Sequence, residues 1–120
     1  LMAGENPAQS AALAAQADML FGLHLNDAHV KLGAEDGLVF GSVNPVAALE
    51  LMRWLQRVGY DGHIYFDTFP RSEDPVREAE LNIRRFKALW ARAAQLAAAG
   101  VDSLAAAHDA LGVLELLEED

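Results

Sequence analysis

The sequence predicts an α/β fold in which helix, strand, helix, strand and helix follow one another and the two strands run parallel. Three observations carry this. Two short β-rich apolar runs, Leu20 to Leu25 and Gly62 to Asp67, each end in a polar loop. Three cap-then-proline pairs, Asn6-Pro7, Asn44-Pro45 and Asp74-Pro75, each open a helix-forming segment. The segment between the two apolar runs is long enough to carry a crossover helix, which parallel neighbours require.

Taken in order, Asn6 caps a first helix that has Pro7 at its first position, where a missing N–H is harmless, and the Ala-rich run extends it to about Asp18. Leu20 to Leu25 is short, apolar and closed by Asn26 and Asp27, the pattern of a buried strand. After a polar loop, Asn44 and Pro45 start a second helix through Trp54 to Val58, with Gly59 to terminate it and Glu50 and Arg53 as an i,i+3 pair. Gly62 to Asp67 is the second strand, followed by the loop "TFPRSEDP".

Asp74 and Pro75 open a long helix that ends at Gly100. Its stripe of Ala79, Ile83, Phe86, Trp90, Ala93 and Ala97 recurs at three- and four-residue steps and packs on the sheet, which leaves Arg84, Arg85 and Lys87 as a solvated face. A short helix from Ser103 to about Leu111, capped by Asp102, precedes an acidic tail over 112–120. Residues 1–120 form a single domain or the fragment of one, with neither an internal repeat nor a low-complexity linker.

Composition narrows the function. A chain of 120 residues that is 52% hydrophobic and 22% charged is globular rather than disordered. Its net charge of −9 repels phosphate backbones, so no nucleic-acid partner is expected. Without cysteine, any metal must be held by oxygen and imidazole ligands. No apolar run reaches the ~20 residues of a membrane span, so no membrane partner is expected and the cytoplasm is the expected compartment.

Strand periodicity places Leu20, Gly22 and His24 on one face of the first strand and Phe21, Leu23 and Leu25 on the other. In the second strand His63, Tyr65 and Asp67 oppose Ile64 and Phe66. Paired as neighbours, the strands would project His24 and Asp67 from equivalent C-terminal positions, where they would share one divalent ion. A histidine on a buried strand is more often a hydrogen-bonded core group than a ligand. Asp67 is harder to dismiss, because a carboxylate after Ile-Tyr-Phe must be paired, solvated or bound to a cation. Glu35 and Asp36 read locally as a solvated acidic turn before Gly37; Asn26, Asp27 and His29 read as turn residues or as partners to a ligand; His108 reads as a surface residue.

The combination of "HLND", an acidic turn running into "LVFGSV", a helix, "GYDGHIYFDTFPRSEDP" and a long helix resembles the C-terminal part of the xylose isomerase-like TIM barrels. Within them it looks closest to the L-rhamnose isomerase-like and xylose isomerase-like sugar isomerases. The resemblance covers roughly Leu1 to Ala98 and is strongest in "HLND", "LVFGS" and "FDTFP". It implies the C-terminal portion of a (β/α)8 TIM barrel, Leu20 to Leu25 being the seventh strand and Gly62 to Asp67 the eighth.

The activity it implies is metal-dependent aldose–ketose isomerisation of a small-molecule sugar with two divalent ions, Mn²⁺ first, Mg²⁺ or Co²⁺ otherwise. His24 and Asp67 would then ligate one structural, substrate-holding ion. The acidic turn matches a family Asp-x-Asp that binds the second, catalytic ion, with Glu35 in place of one aspartate, Gly37 where the other is expected, and Asp36 as a substitute that would have to turn inward. Asn26 and Asp27 would support the ligands or the substrate. Sister enzymes that act as sugar 3-epimerases use paired glutamates, one ending the last strand; Asp67 at that place favours the isomerase. The related zinc-dependent apurinic endonucleases are disfavoured by the negative charge.

A barrel of this kind takes ~250 residues, and the sequence enters it just past the place of the sixth strand. The 120 residues alone are therefore expected to lack a complete site and to be inactive. With open sheet edges, they are also expected to form a homo-oligomer or to complement the missing barrel half.

Overall fold

A computed structural model describes residues 3–119, which form a mixed α/β structure with five helices and a small parallel sheet. The order is α1 (Pro7–Gln16), β1 (Gly22–Leu25), α2 (Pro45–Arg57), β2 (His63–Phe66), α3 (Pro75–Ala98), α4 (Val101–Ala106) and α5 (Ala110–Glu118).

The cap-then-proline pairs start three helices, by two different means. Asn6 Oδ1 accepts from Gln9 N at 3.0 Å, and Asp74 Oδ1 from Arg77 N at 2.9 Å, so each side chain satisfies a backbone donor of the first turn. Asn44 does not cap α2 with its side chain. Its amide instead donates across the preceding loop, to Asp27 Oδ1 at 2.6 Å and to Ala28 O at 2.9 Å. The first helix ends at Gln16, before the expected Asp18, which lies in the left-handed region at φ 55°. Gly59 follows α2 at φ 64°, as a terminating residue should.

The strands pair in parallel, with Gly22 opposite His63, Leu23 opposite Ile64, His24 opposite Tyr65 and Leu25 opposite Phe66. Each is shorter than its apolar run. Phe21, expected beside Leu23 and Leu25 in the core, precedes the first paired residue and is 78% exposed.

Helices α1, α2 and α3 cover one face of this sheet. Leu23, Leu25, Ile64 and Phe66 join Ala8, Ala11, Phe40, Ala48, Leu51, Met52, Leu55 and Ala93 in one core. Fully buried Met52 and Leu55 each contribute about 1.5–3 kcal/mol by leaving water. Phe86 meets Phe66 edge-on at 6.2 Å and stacks on Trp90 at 5.8 Å, which seats α3 against β2. Among the described residues the opposite face is bare: His24, His63 and Tyr65 are exposed, and the His24 and Tyr65 rings lie 5.1 Å apart.

Five side chains depart from the expected pattern for reasons of packing. The inner line of α3 runs through Asn82, Phe86, Leu89, Ala93 and Leu96, so Ile83 is left exposed and Asn82 is buried. Arg85 is not a freely solvated group, since its Nε donates to Phe40 O at 3.0 Å and its Nη2 to Gly41 O. Glu50 and Arg53 do not pair. Glu50 accepts from Asn6 Nδ2 at 3.0 Å, while Arg53 reaches α4 and forms a bidentate ion pair with Asp102, its Nε lying 3.1 Å from Oδ1.

That pairing also corrects the C-terminal reading. Asp102 sits inside the first turn of α4 and caps nothing; the Arg53 guanidinium holds its carboxyl below the ordinary range. The helix breaks at His108, φ 58°, and Asp109 starts α5 by accepting from Gly112 N at 2.9 Å. Residues expected as an acidic tail are thus helical to Glu118, with Arg92 donating to the carbonyls of Leu116 and Glu119.

Replacing Asn82 with the similarly sized Leu removes the acceptor of the Phe40 N–H inside the core. A loss of about 1–3 kcal/mol is expected, read as a lower urea midpoint at an unchanged slope.

Candidate functional site

The polar groups gather where both strands end. β1 and β2 are parallel, so the loops that follow them emerge on the same side. Asp67 N donates to Leu25 O at 2.9 Å, and Asn26 Nδ2 to Asp67 O at 2.9 Å. The pairing therefore continues one step past the strands and sets Asp67 opposite Asn26. His24 lies opposite Tyr65. His24 and Asp67 share the bare face but differ by two residues in register, rather than projecting from equivalent positions.

The loop after β1 is built on Asp27. Its backbone exchanges two hydrogen bonds of 2.9 Å with Leu38, a one-residue antiparallel bridge that closes the loop on itself. Its side chain is 3% exposed, and the carboxylate is fully engaged. Oδ1 accepts from Ala28 N at 2.9 Å and from Asn44 Nδ2 at 2.6 Å; Oδ2 accepts from Val43 N at 2.8 Å and Asn44 N at 2.9 Å. Burial by itself pushes the acid upward, but the bonds from Asn44, Val43 and Ala28 outweigh it and hold the pKa below the ordinary aspartate value. Asp27 is a structural anchor, neither an ordinary turn residue nor a group free to meet a ligand.

The acidic turn divides its residues between two tasks. Asp36 Oδ2 accepts from His29 N at 2.8 Å and so braces the loop. Glu35 is exposed and lines the pocket. Gly37 is buried at φ 61°, and its carbonyl accepts from Phe69 N at 2.8 Å, which joins this turn to the loop after β2.

Behind the mouth, α3 ties the two loops together. Asn82 Oδ1 accepts from Phe40 N at 2.9 Å, and its Nδ2 donates to Thr68 Oγ1 at 3.3 Å. Thr68 in turn donates to Glu78. The sequence reading gives no site role to Asn82 or Phe69, and it places Arg85 on a solvated face. For Asn82 a signal exists, because it lies in phase with Phe86, Leu89, Ala93 and Leu96; for Arg85 and Phe69 nothing local announces the partner.

These elements enclose an open pocket of about 530 Å³ whose wall includes His24, Asn26, Asp27, Glu35, Asp67 and Phe69. A volume of that size suits a small metabolite. Among the described residues its lining contains no Lys or Arg, so the wall offers carboxylate, amide and imidazole groups beside apolar ones. His29 and His108 are exposed and outside it.

Imidazole and carboxylate donors suit a hard or borderline divalent ion. As a complete metal site, however, this set does not close. The Asp27 and Asp36 carboxylates serve the backbone, and among the described residues no three His, Asp or Glu side chains stand together as a metal ion requires. No known family model matches the chain, and no curated protein matches it. No described helix is long and apolar enough to cross a membrane.

The Asp27 carboxylate makes the fold acid-sensitive in a predictable window. Its pKa is lowered on folding, so its contribution is fully present above the unfolded value of about 3.9 and is lost as the pH falls through the lower folded value. Asp27→Asn presents an amide donor to N–H groups whichever way it turns. A cost on the order of 2–4 kcal/mol at neutral pH is expected, with a flatter stability profile below about pH 4. Chemical denaturation across pH 3 to 7, a range set about that ordinary pKa, checks both.

Proposed function

We propose that the chain is the closing C-terminal portion of a (β/α)8 barrel that interconverts an aldose and a ketose with the help of a divalent metal, Mn²⁺ foremost. One observation carries this reading: the parallel pair has helices on one face and a bare face bearing His24, Tyr65 and Asp67, with a pocket at the strand C-termini. A barrel wall has this construction, its functional groups standing at the C-terminal ends of the strands. The "HLND", "LVFGS" and "FDTFP" resemblance supports the sugar-isomerase class in particular.

In this reading His24 and Asp67 are half of a ligand set, completed by groups outside these 120 residues. The metal would supply electrophilic polarisation of the sugar oxygens. Within the chain, Asn26 holds the Asp67 backbone in place, Asp27 holds the loop, and Glu35 stands in the pocket wall that a bound sugar would meet. The cytoplasm is the compartment this activity implies.

The test is Mn²⁺ titration and aldose–ketose turnover of the intact barrel. His24→Ala and Asp67→Ala are each expected to weaken Mn²⁺ by more than about tenfold, a change of about 1.4 kcal/mol, and to abolish turnover. Unchanged affinity in both would remove the assignment. A 3-epimerase would show itself by inverting a ketose centre without producing an aldose.

A second reading concerns the 120 residues by themselves, as an inert piece whose property is association. It is favoured by two strand edges that have no partner among the described residues and by Phe21, Val30 and Leu32, exposed at 78%, 83% and 82%. The chain alone is expected to turn over no sugar and to sediment as an oligomer at micromolar concentration, unless the remaining barrel strands are supplied. A compact monomer would refute the association.

A further inference from the structure

The Glu35–Gly37 turn is where the resemblance would place a second metal, and here the structure takes its own course. Gly37 is buried at φ 61°, a conformation that L side chains rarely adopt. A Cβ added there would lie 2.9 Å from Phe69 Cβ and nearer still to the ring. These atoms form the root of the Phe69 side chain and not a flexible tip. A rotation of the ring alone does not clear them, because the Phe69 N–H is bonded to the Gly37 carbonyl at 2.8 Å.

Of the neighbouring carboxylates only Glu35 stands in the pocket wall, and one carboxylate does not replace the pair a second hard cation would need. Asp36 is turned to the His29 N–H, and its side chain is absent from the pocket wall. Phe69 does line the pocket and is 44% exposed there. The side of the mouth that would hold a carboxylate at position 37 is an aromatic surface.

We propose that Phe69 and Gly37 form a clamp that excludes a second metal, leaving a mouth that holds at most one divalent ion, at the His24 and Asp67 side, with the Phe69 ring as an apolar wall against the ligand. The sugar-isomerase reading gives position 37 its meaning, and the clamp itself rests on the packing of the two residues. A ligand in this pocket would meet polar groups from β1 and β2 and a flat apolar surface from Phe69. This suits a polyol that has one hydroxyl-rich face and one C–H face.

Two measurements on the full chain decide it. The first is a double-mutant cycle on thermal stability with Gly37→Ala and Phe69→Ala. Gly37→Ala is expected to lower the unfolding midpoint strongly when Phe69 is present and much less in the Phe69→Ala background, where the strain at φ 61° remains but the clash is gone. Equal losses in the two backgrounds would overturn the clamp. If Gly37→Ala fails to fold, Gly37→Ala/Phe69→Ala recovering a cooperative transition supports it, and failure of the double variant where Phe69→Ala folds overturns it.

The second is the count of tightly bound Mn²⁺ by equilibrium dialysis at physiological salt, on the chain and on the intact barrel. No more than one ion per chain is expected in either. Two ions would sink the exclusion while leaving the isomerase reading in place. No ion in the intact barrel would sink the isomerase reading while the clamp, judged by the cycle, still stands.

Discussion

The buried carboxylate of Asp27 is the constraint on which the rest of the mouth depends. It accepts four hydrogen bonds, from Ala28 N, Val43 N, Asn44 N and the Asn44 amide, and its backbone pairs with Leu38. One side chain thus gathers the start of the loop, its end and the entrance to α2. An ionised group so far out of water is tolerable because each oxygen has two donors, so removing a donor costs more than a lone surface hydrogen bond would suggest.

From that anchor the geometry propagates in both directions. Asn44, drawn to Asp27 and Ala28, fixes where Pro45 begins α2, and α2 supplies Leu51, Met52 and Leu55 to the core beneath the sheet. On the other side the closed loop brings Phe40 and Gly41 to α3, where Asn82 and Arg85 meet their backbone groups. The second loop is tied to the first at Gly37 and Phe69 and to α3 through Thr68. The polar face of the sheet stays open because these contacts all lie at the strand ends or on the helix side. His24 and Asp67 are therefore presented on a firm backbone with their side chains still accessible.

How far the sequence could be read follows from the range of each interaction. Asn6 and Asp74 cap as expected because the bonds they make reach three residues ahead. The same reasoning failed at Asn44, where a partner 17 residues back competed for the side chain. It failed at Asp102 because a guanidinium from α2, 49 residues distant, claimed the carboxylate. The stripe of α3 was displaced for a related reason: Asn82 turns inward to satisfy Phe40 N, and Ile83 next to it turns out. In the candidate site strand periodicity put His24 and Asp67 at the strand ends, whereas their register offset, and the arrival of Asn26 and Glu35 at the same pocket, depended on the loops between the strands.

The sequence by itself determined three helix starts, the terminating role of Gly59, two parallel strands and the faces their residues occupy. Proline φ, glycine freedom, the reach of short polar side chains and the alternation of a strand are properties of a few consecutive residues. The tertiary structure alone decided which carboxylates are free. Asp27 and Asp36 became braces, Glu35 and Asp67 remained in the pocket wall, and Phe69 filled the space beside Gly37. These outcomes depend on groups brought together from distant parts of the chain, and a carboxylate in a turn looks the same in sequence whether its nearest donor will be water or a backbone amide.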